Sequence, residues 1–180
     1  GQKMQWPYAQ VMDKHCIGGL PGNRTTPVVV AIVAACGLII PKTSSRAITS
    51  PAGTADTMAV LTPVELSLED MKRVVELEGG CMVWGGSVNL SPADDLFIRV
   101  ERALNLDSEG QLVASVISKK LAAGSSHLVI DIPFGATAKM RDYAAALELK
   151  NRLEDVGQRL HLAVRCLITN GDEPVGVSQL

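Results

Sequence analysis

The chain has 180 residues, 47% of them hydrophobic and 20% charged, which is enough for one globular domain with a sizeable core and argues against disorder. Its formal net charge of −2 argues against a nucleic-acid-binding surface, which needs a basic face, but leaves room for a small anionic ligand. The four cysteines form no CxxC pair, so reduced thiols in a cytoplasmic protein are expected, rather than a disulfide framework or a zinc site.

Short apolar runs and one glycine-rich loop make up the N-terminal part of the chain. We expect a short strand in "YAQVMDK" that ends at Asp13, followed by a loop at residues 18–23, "GGLPGN". A buried helix is predicted for "TTPVVVAIVAACG", capped by one of its two threonines, with Pro27 in the first turn and Gly37 as the stop. Its β-branched residues leave a strand as the alternative, and this apolar run is too short to span a bilayer.

The rest of the chain alternates predicted helices with predicted strands. We expect a helix capped near Thr54 in "GTADTMAVL", and two amphipathic helices with glycine stops in "SLEDMKRVVELEGG" and "EGQLVASVISKKLAAG". A long helix is predicted for "TAKMRDYAAALELKNRLEDVGQRL". Strands are predicted for "CMVWG", "HLVIDIPFG" and "HLAVRCLITN", the last two as buried strands, with burial on both faces. This alternation predicts an α/β fold with a largely parallel sheet flanked by helices.

The first candidate site follows the first strand, in "DKHCIGGLPGNRTT". In open α/β sheets, ligands bind at the carboxyl ends of strands, where loops meet helix N-termini. Here the strand delivers Lys14 and His15, and a glycine-rich turn lets backbone N–H groups approach a ligand. The next helix then offers its N-terminus with Thr25 and Thr26. This combination suits an anion, although the lysine precedes the glycines and so does not form a Walker pattern.

The second candidate site is the hydroxyl-rich stretch "KTSSRAITSPAGTADTM", residues 42–58. Phosphate has several acceptor oxygens, and short hydroxyl donors ahead of a helix N-terminus suit it. Helix caps and local turns are the alternative, but one cap needs only one hydroxyl. The role of Arg46 stays open between contact with a base or sugar oxygen and a structural ion pair. The hydroxyl donors are Ser44, Ser45, Thr49, Ser50 and Thr54.

The third candidate site is the helix start in "NLDSEGQLVASVISKK". Asp107 and Ser108 stand where the N-cap belongs, while Ser115 and Lys119 are four residues apart and share one helix face. The remainder of that face is apolar, which makes a solvated Lys119 less natural. A lysine on a surface helix is nevertheless most often only solvated, so both interpretations of Lys119 stay open here.

Five segments together resemble the nucleoside phosphorylase family that contains thymidine phosphorylase and the AMP phosphorylases. The resemblance runs in order over nearly the whole chain, and "SRAITSPAGTADTM" and "RVERALNLDSEGQ" are closer to the AMP phosphorylase-like branch. A more distant likeness connects the chain with anthranilate phosphoribosyltransferase. The five segments are "DKHCIGGLPGN", "KTSSRAITSPAGTADTM", "GGCMVWGGSVNLSPADD", "DSEGQLVASVISKKLAAG" and "HLVIDIPFGATAKMR".

The resemblance implies a reaction in which inorganic phosphate attacks the anomeric carbon of a nucleoside and the pyrimidine base departs, leaving a sugar 1-phosphate. Thymidine phosphorolysis is the expected activity. AMP phosphorolysis and a non-catalytic phosphate- or nucleotide-binding module are the alternatives. No metal or cofactor is expected, and inorganic phosphate is the co-substrate, whereas a phosphoribosyltransferase would depend on magnesium.

The resemblance to thymidine phosphorylase also assigns residues by position. The family pattern has serine where this chain has Cys16 and Thr26, and a thiol is a weaker hydrogen-bond donor than a hydroxyl. Its base-contacting arginine falls on Arg99 or Arg102, and that alternative stays open. The phosphate contacts are assigned to Lys14, Cys16, Thr26, Ser44 and Thr54, and the base-side contacts to His15, Ser115 and Lys119.

The AMP phosphorylase pattern assigns an overlapping set and a different acid. It places the proton donor at Asp107, whereas the thymidine phosphorylase pattern places it at His15, and both stay open. A histidine with an ordinary pKa is the easier donor at pH 7, while an aspartate needs burial to raise its pKa. The nucleotide-binding positions of this pattern are Gly19, Ser45, Arg46, Ala47, Ile48, Thr49, Ser50, Thr54, Ser115 and Lys139.

Members of this family are longer than this chain and carry a helical domain that receives the nucleoside and a further C-terminal domain. We therefore expect residues 1–180 to form a single phosphate-binding α/β domain, with both other domains absent. Closure of the helical domain completes the site in the family, so this chain alone is expected to bind phosphate weakly and to turn over little nucleoside. The expected partners are small molecules, with no nucleic acid and no membrane, and a homodimer is expected for the full-length protein.

Overall fold

The computed structural model describes residues 3–18, 24–47, 52–94, 96–97, 100 and 108–172. The strands are β1 (Met12–Cys16), β2 (Ile40–Ser44), β3 (Gly80–Trp84), β4 (His127–Phe134) and β5 (Ala163–Asn170). The helices with fully described bounds are α1 (Thr25–Ala35), α2 (Thr54–Ala59), α3 (Leu68–Glu78), α4 (Glu109–Ala122) and α5 (Tyr143–Arg159). None of the helices in these ranges is both long and apolar enough to cross a membrane.

The strand pairs in the described residues all run parallel. β1 pairs with β4 and β4 with β5, while β2 pairs with β3. A parallel bridge between Val11 and Ile39 joins the two groups, and the Met12 N–H donates to the Ile39 carbonyl at 2.7 Å. The strand order is therefore β3-β2-β1-β4-β5, and the direction of winding reverses between β1 and β4. This confirms the predicted α/β fold, and β1 ends at the reversal point where open α/β sheets bind ligands.

Helix α3 has the ends that its sequence predicts. The Ser67 hydroxyl accepts a hydrogen bond from the Asp70 N–H at 3.0 Å and so caps the first turn. Gly79 ends the helix with a φ of +74°, a conformation that costs a residue with a side chain more than it costs glycine. Between these ends, Met71 and Val75 lie one turn apart on the buried face.

Helices α1 and α5 begin differently from what their sequences suggested. Thr25 is the first helical residue of α1 and not its cap, because Arg24 holds the cap position and makes no side-chain capping bond. Helix α5 begins at Tyr143, and the preceding "TAKMRD" segment is not part of it. The Asp142 carboxylate caps α5 by accepting from the Ala145 N–H at 2.9 Å, which fixes the helix start.

Two apolar clusters attach the helices to the sheet. The first packs helices α4 and α5 on β4 and β5 and contains Ile130, Leu149 and Leu153, each with no more than 1% of its surface exposed. The second joins α3 to β3 through residues such as Met71 and Val83. Each such fully buried side chain contributes about 1.5–3 kcal/mol to folding. The two clusters therefore fix β3, β4 and β5, which lie on either side of β1 and β2.

The prediction that β4 and β5 are buried on both faces is wrong. Val129 of β4 and Leu167 of β5 are 44% and 57% exposed, whereas Ile130 and Cys166 on the opposite face are buried. Helix α5 covers only that opposite face, and α1 packs against β1, β2 and β3 instead of β4 and β5. A continuous apolar run therefore indicated a strand correctly but did not show which of its faces a helix would cover.

Candidate functional site

The carboxyl end of β1 places a buried cation beside a helix N-terminus. β1 continues beyond its predicted end to Cys16, so Lys14 and His15 are strand residues at this edge of the sheet. The Lys14 side chain is buried, and its Nζ donates to the hydroxyls of Thr25 and, at 3.4 Å, Thr26. Burial is the main cause that lowers the pKa of Lys14 from the usual lysine value. The structure therefore brings together the lysine and the two threonines of the first candidate site.

His15 stands among cations. Burial lowers its pKa well below the usual histidine value, and the positive charges of Lys120, Lys42, Lys14 and Lys119 lower the pKa further. The imidazole is therefore neutral at pH 7, and its one N–H is a hydrogen-bond donor. An ordinary pKa was the reason to prefer His15 as the easier acid at pH 7. In the structure that reason does not hold, because burial and the lysines disfavour a second proton on the ring.

The Cys16 thiol faces a carboxylate. Its Sγ donates to Asp131 Oδ2 at 3.5 Å, and Asp131 Oδ1 accepts from the Thr169 hydroxyl at 2.7 Å. Burial raises the pKa of Cys16 to about 12, so the group stays a thiol at neutral pH. In this arrangement the thiol hydrogen is donated to Asp131. A phosphate contact through Cys16 would therefore require the thiol to break its hydrogen bond with that carboxylate.

A single buried carboxylate, that of Asp13, lies behind Lys14. Asp13 Oδ2 lies 3.1 Å from Lys120 Nζ and accepts from the Ser125 hydroxyl at 3.3 Å. Asp13 Oδ1 lies 3.7 Å from Lys42 Nζ. Lys42 and Lys120 are both buried, and burial together with the charge of Lys120 lowers the pKa of Lys42 well below the usual lysine value. The candidate site thus rests on a buried cluster in which lysines outnumber aspartates.

The hydroxyl-rich stretch begins inside β2 and continues to α2. The Ser44 hydroxyl is buried and has no hydrogen-bond partner among the described residues. Thr54 is the first residue of α2, and the next residue, Ala55, donates its N–H to the Ser45 carbonyl at 3.2 Å. A buried hydroxyl without a partner costs free energy that a ligand oxygen can recover. Ser44 and Thr54 therefore flank one loop at the same sheet edge as Lys14.

Arg46 forms a structural ion pair, which was one of its two predicted roles. Its guanidinium lies 3.0 Å from Asp56 and 2.6 Å from Glu65, and its Cζ lies 4.9 Å from the ring centre of Trp84. Asp56 Oδ2 also accepts from the Ala47 N–H at 2.7 Å. These contacts bind two Arg46 nitrogens to carboxylates of the protein, and Asp56 also holds the backbone at Ala47.

The partners of Arg46 were missed in the sequence, although one of them had a local signal. Asp56 accepts from the Gly53 N–H at 2.9 Å and stands three residues after it, the spacing of a capping carboxylate at a helix start. Glu65 and Trp84 lie much farther along the chain, and no local pattern indicated them.

Helix α4 contributes the base-side candidates. Ser115 is half-buried, and Lys119 Nζ lies 2.5 Å from Asp94 Oδ2, with Asp94 itself buried. Lys119 is therefore not a freely solvated lysine, and its charge reaches His15. Asp94 was not singled out in the sequence, because nothing local marks an aspartate as the partner of a lysine on another element.

Lys139 lies next to the turn that follows β1. Gly18 has a φ of +62°, and a Cβ added there would lie 3.3 Å from the Lys139 Cβ. Lys139 also lines a cleft of about 210 Å³ with Glu109 and Glu148, and that cleft includes none of the predicted phosphate contacts. The other predicted positions lie outside the described residues: Gly19, Ile48, Thr49, Ser50, Arg99, Arg102 and Asp107.

Comparison with protein families gives a match at residues 8–146 to the glycosyl transferase family, a/b domain. The chain belongs to this family. The matched range extends from before β1 into α5 and contains every residue predicted for the site, from Lys14 to Lys139. The parallel sheet and the cation cluster at its carboxyl edge are therefore features of a glycosyl transferase family a/b domain.

Curated relatives of this family member are similar over nearly its whole length. Proteins named "Putative thymidine phosphorylase" from Chelativorans sp. (strain BNC1) and Legionella pneumophila subsp. pneumophila (strain Philadelphia 1) are 64% and 66% identical over 176 residues. A protein of the same name from Hahella chejuensis is 65% identical over 176 residues. Each alignment covers 98% of this chain but only 34–35% of the relative. The chain thus spans about a third of the length of the curated relatives it matches.

Proposed function

We propose that this chain is the phosphate-binding part of a pyrimidine nucleoside phosphorylase that converts thymidine and phosphate into thymine and 2-deoxyribose 1-phosphate. The observation that carries the proposal is the pairing of the buried Lys14 cation with hydroxyl donors at one sheet edge. Thr26 contacts Lys14 directly, and the Ser44 hydroxyl, which has no partner within the described part of the chain, ends the neighbouring strand β2. Cation, hydroxyls and the N-terminus of α1 together match the charge and the several acceptor oxygens of phosphate.

In the proposed reaction, a phosphate oxygen forms a bond to the anomeric carbon while the bond from that carbon to the base nitrogen breaks. The electron pair of the broken bond moves onto the pyrimidine, which takes up one proton, and hydrogen phosphate gives up one proton as it becomes the sugar phosphate, so the protons balance. The cluster around Lys14 holds the phosphate in line with the breaking bond, and this positioning supplies much of the rate increase. The His15 N–H and the Lys119 ammonium stabilise the negative charge that develops on the base.

The names of the relatives support a pyrimidine nucleoside as substrate, since three of them are named as thymidine phosphorylases. AMP is the second candidate substrate, because the side chain of Lys139, a nucleotide-binding position of the AMP phosphorylase pattern, packs against Gly18 in the turn that follows β1. The two candidate substrates differ in charge, since AMP carries a phosphate group that thymidine lacks.

The test is phosphorolysis of thymidine, uridine and AMP by a protein of the relatives' full length that carries this chain. We expect release of thymine that requires phosphate, and a loss of at least about a hundredfold in kcat/KM for Lys14→Ala. Lys72→Ala, which removes an exposed lysine from α3, is the matched control and should leave the rate unchanged. Phosphorolysis that survives both Lys14→Ala and His15→Ala would contradict the assignment of the site. The 180-residue chain alone should bind phosphate weakly and release little base.

A further inference from the structure

Asp13 is among the most deeply buried charged residues of the described chain, with a side chain that is 0% exposed. Its Oδ1 accepts a hydrogen bond from the Lys14 N–H at 2.7 Å, so the Asp13 side chain also contacts the backbone of β1. Its two oxygens lie 3.2 and 3.1 Å from Lys120 Nζ, and the Ser125 hydroxyl adds a bond at 3.3 Å. Lys42 Nζ is 3.7 Å away.

Asp13 and its partners come from three of the elements that carry parts of the proposed site, namely β1, β2 and α4. Asp13 itself precedes Lys14 and His15 on β1. Lys42 is on β2, two residues before Ser44, and it also donates to the carbonyl of the next residue of that strand. Lys120 is the neighbour of Lys119 on α4. One carboxylate therefore connects the phosphate side of the site with the base side.

Stability alone does not account for this cluster. Replacing a buried ion pair by well-packed apolar residues is often neutral or stabilising, because taking charges out of water is costly. Two buried lysines, Lys42 and Lys120, share the one carboxylate of Asp13, and the charge of the buried Lys14 also acts on Lys42, so repulsion among the three lysines adds to that cost. The arrangement is more readily explained by what it holds in place.

We propose that Asp13 is a positioning residue, whose buried carboxylate fixes β1, β2 and α4 relative to one another so that Lys14 and Lys119 face a single anion and base site. This proposal rests on the proposed function. It assigns to Asp13 no contact with substrate, because its oxygens are already occupied by Lys120, Ser125 and the Lys14 N–H.

The direction in which Asp13→Asn changes anion affinity distinguishes a positioning role of Asp13 from a purely electrostatic one. Asp13→Asn removes a negative charge from beside an anion site, so electrostatics alone predicts tighter anion binding. A positioning role predicts the opposite, a loss of about tenfold or more in affinity by the folded protein. Sulfate is the probe, because it keeps two negative charges between about pH 6 and pH 8, and its binding to the 180-residue chain is measured by titration calorimetry. Asp155→Asn, which removes the charge of an exposed ion pair on α5, is the control and should bind sulfate as the wild type does.

Ser125→Ala keeps every charge and covers the case in which Asp13→Asn does not fold. It should weaken sulfate binding about threefold, whereas Ser118→Ala, on the exposed side of α4, should not change it. Equal or tighter sulfate binding by folded Asp13→Asn would overturn the inference. So would sulfate binding by Asp13→Asn that returns to the wild-type affinity at about pH 6, because it would show that Asp13 only keeps the lysines protonated. If Asp13→Asn does not fold, unchanged affinity in Ser125→Ala overturns it. A wild-type chain that binds neither sulfate nor phosphate would instead contradict the proposed function.

Discussion

Replacing His15 by glutamine should remove a pH dependence of stability that the wild-type chain has. Burial and the neighbouring lysines lower the pKa of His15 well below the usual value of 6.5. When a base has a lower pKa in the folded than in the unfolded state, the unfolded chain binds more protons than the folded chain once the pH approaches or falls below the pKa of the unfolded state. His15 therefore makes the folded state less stable at lower pH, and stability rises with pH up to and just past about 6.5.

The size of the effect follows from that lowered pKa. If the folded imidazole stays neutral throughout, protonation of the unfolded chain alone decreases the free energy of unfolding by about 1.4 kcal/mol between about pH 7.5 and pH 5.5. Asp56, Asp70 and Glu154 act in the same direction, since their pKa values are lowered and their stabilisation is also lost as pH falls. Their usual values of 3.8 to 4.5 place that loss mainly below this range.

The assay is urea unfolding of wild type and His15→Gln at about pH 7.5 and pH 5.5. The wild type should lose about 1.4 kcal/mol more than His15→Gln over this range, and contributions common to both proteins cancel in the comparison. His161→Asn is the control, because His161 is exposed and has a φ of +57°, which asparagine tolerates. Equal losses in wild type and His15→Gln would show that His15 is not held neutral and would refute the reasoning.

Further substitutions test the loop and the thiols. Gly53→Ala should lower the free energy of unfolding by about 1–3 kcal/mol, because the added Cβ would lie 2.8 Å from the nitrogen of Ala47. Gly110→Ala, inside α4, should be neutral or stabilising, because the added Cβ would make only an ordinary contact of 3.8 Å with the Ser108 Oγ. Asp56→Asn should cost about 1–2 kcal/mol in the same urea assay through lost hydrogen bonds, and no loss would contradict the role of Asp56 in the loop. Iodoacetamide at about pH 8 should modify the exposed Cys36 first, as followed by peptide mass spectrometry, and faster labelling of the other thiols would contradict their burial. Those thiols, whose pKa burial raises to about 12, are Cys16, Cys81 and Cys166.

Local signals made part of the fold predictable. The Ser67 cap and the Gly79 stop of α3 act within one turn of the helix, so the sequence alone determines them. The same holds for α4, whose N-cap Ser108 accepts from the Gln111 N–H. The start of α5 was also encoded locally, by Asp142, but the helical pattern before it was read as part of the helix. Strand alternation with helices was sufficient to predict the parallel sheet.

Contacts between distant residues were not predictable in the same way. Asp13 and Lys120 are 107 positions apart, and nothing in either segment marks the other as its partner. The exposure of Val129 and Leu167 depends on which strands α1 and α5 cover, which is a property of the winding and not of the strands. Candidate phosphate contacts such as Lys14 were identified from residue type and loop position. The carboxylates that hold the lysines in place were not identified, because a buried aspartate and an exposed one look alike in a sequence.

The proposed anion site is compatible with a net charge of −2 for the chain, because the positive charge is concentrated locally. The lysines that act on His15 are concentrated at one sheet edge, where they outnumber their partner aspartates and lie mostly out of water. In such surroundings each unit of charge interacts more strongly than it does at the surface. Burial is the main cause that lowers the pKa values of Lys14 and Lys42, and the charges of the neighbouring lysines lower them further, since each proton on one lysine disfavours a proton on the next. A dianion relieves that repulsion, so anion binding and retention of the lysine protons stabilise each other.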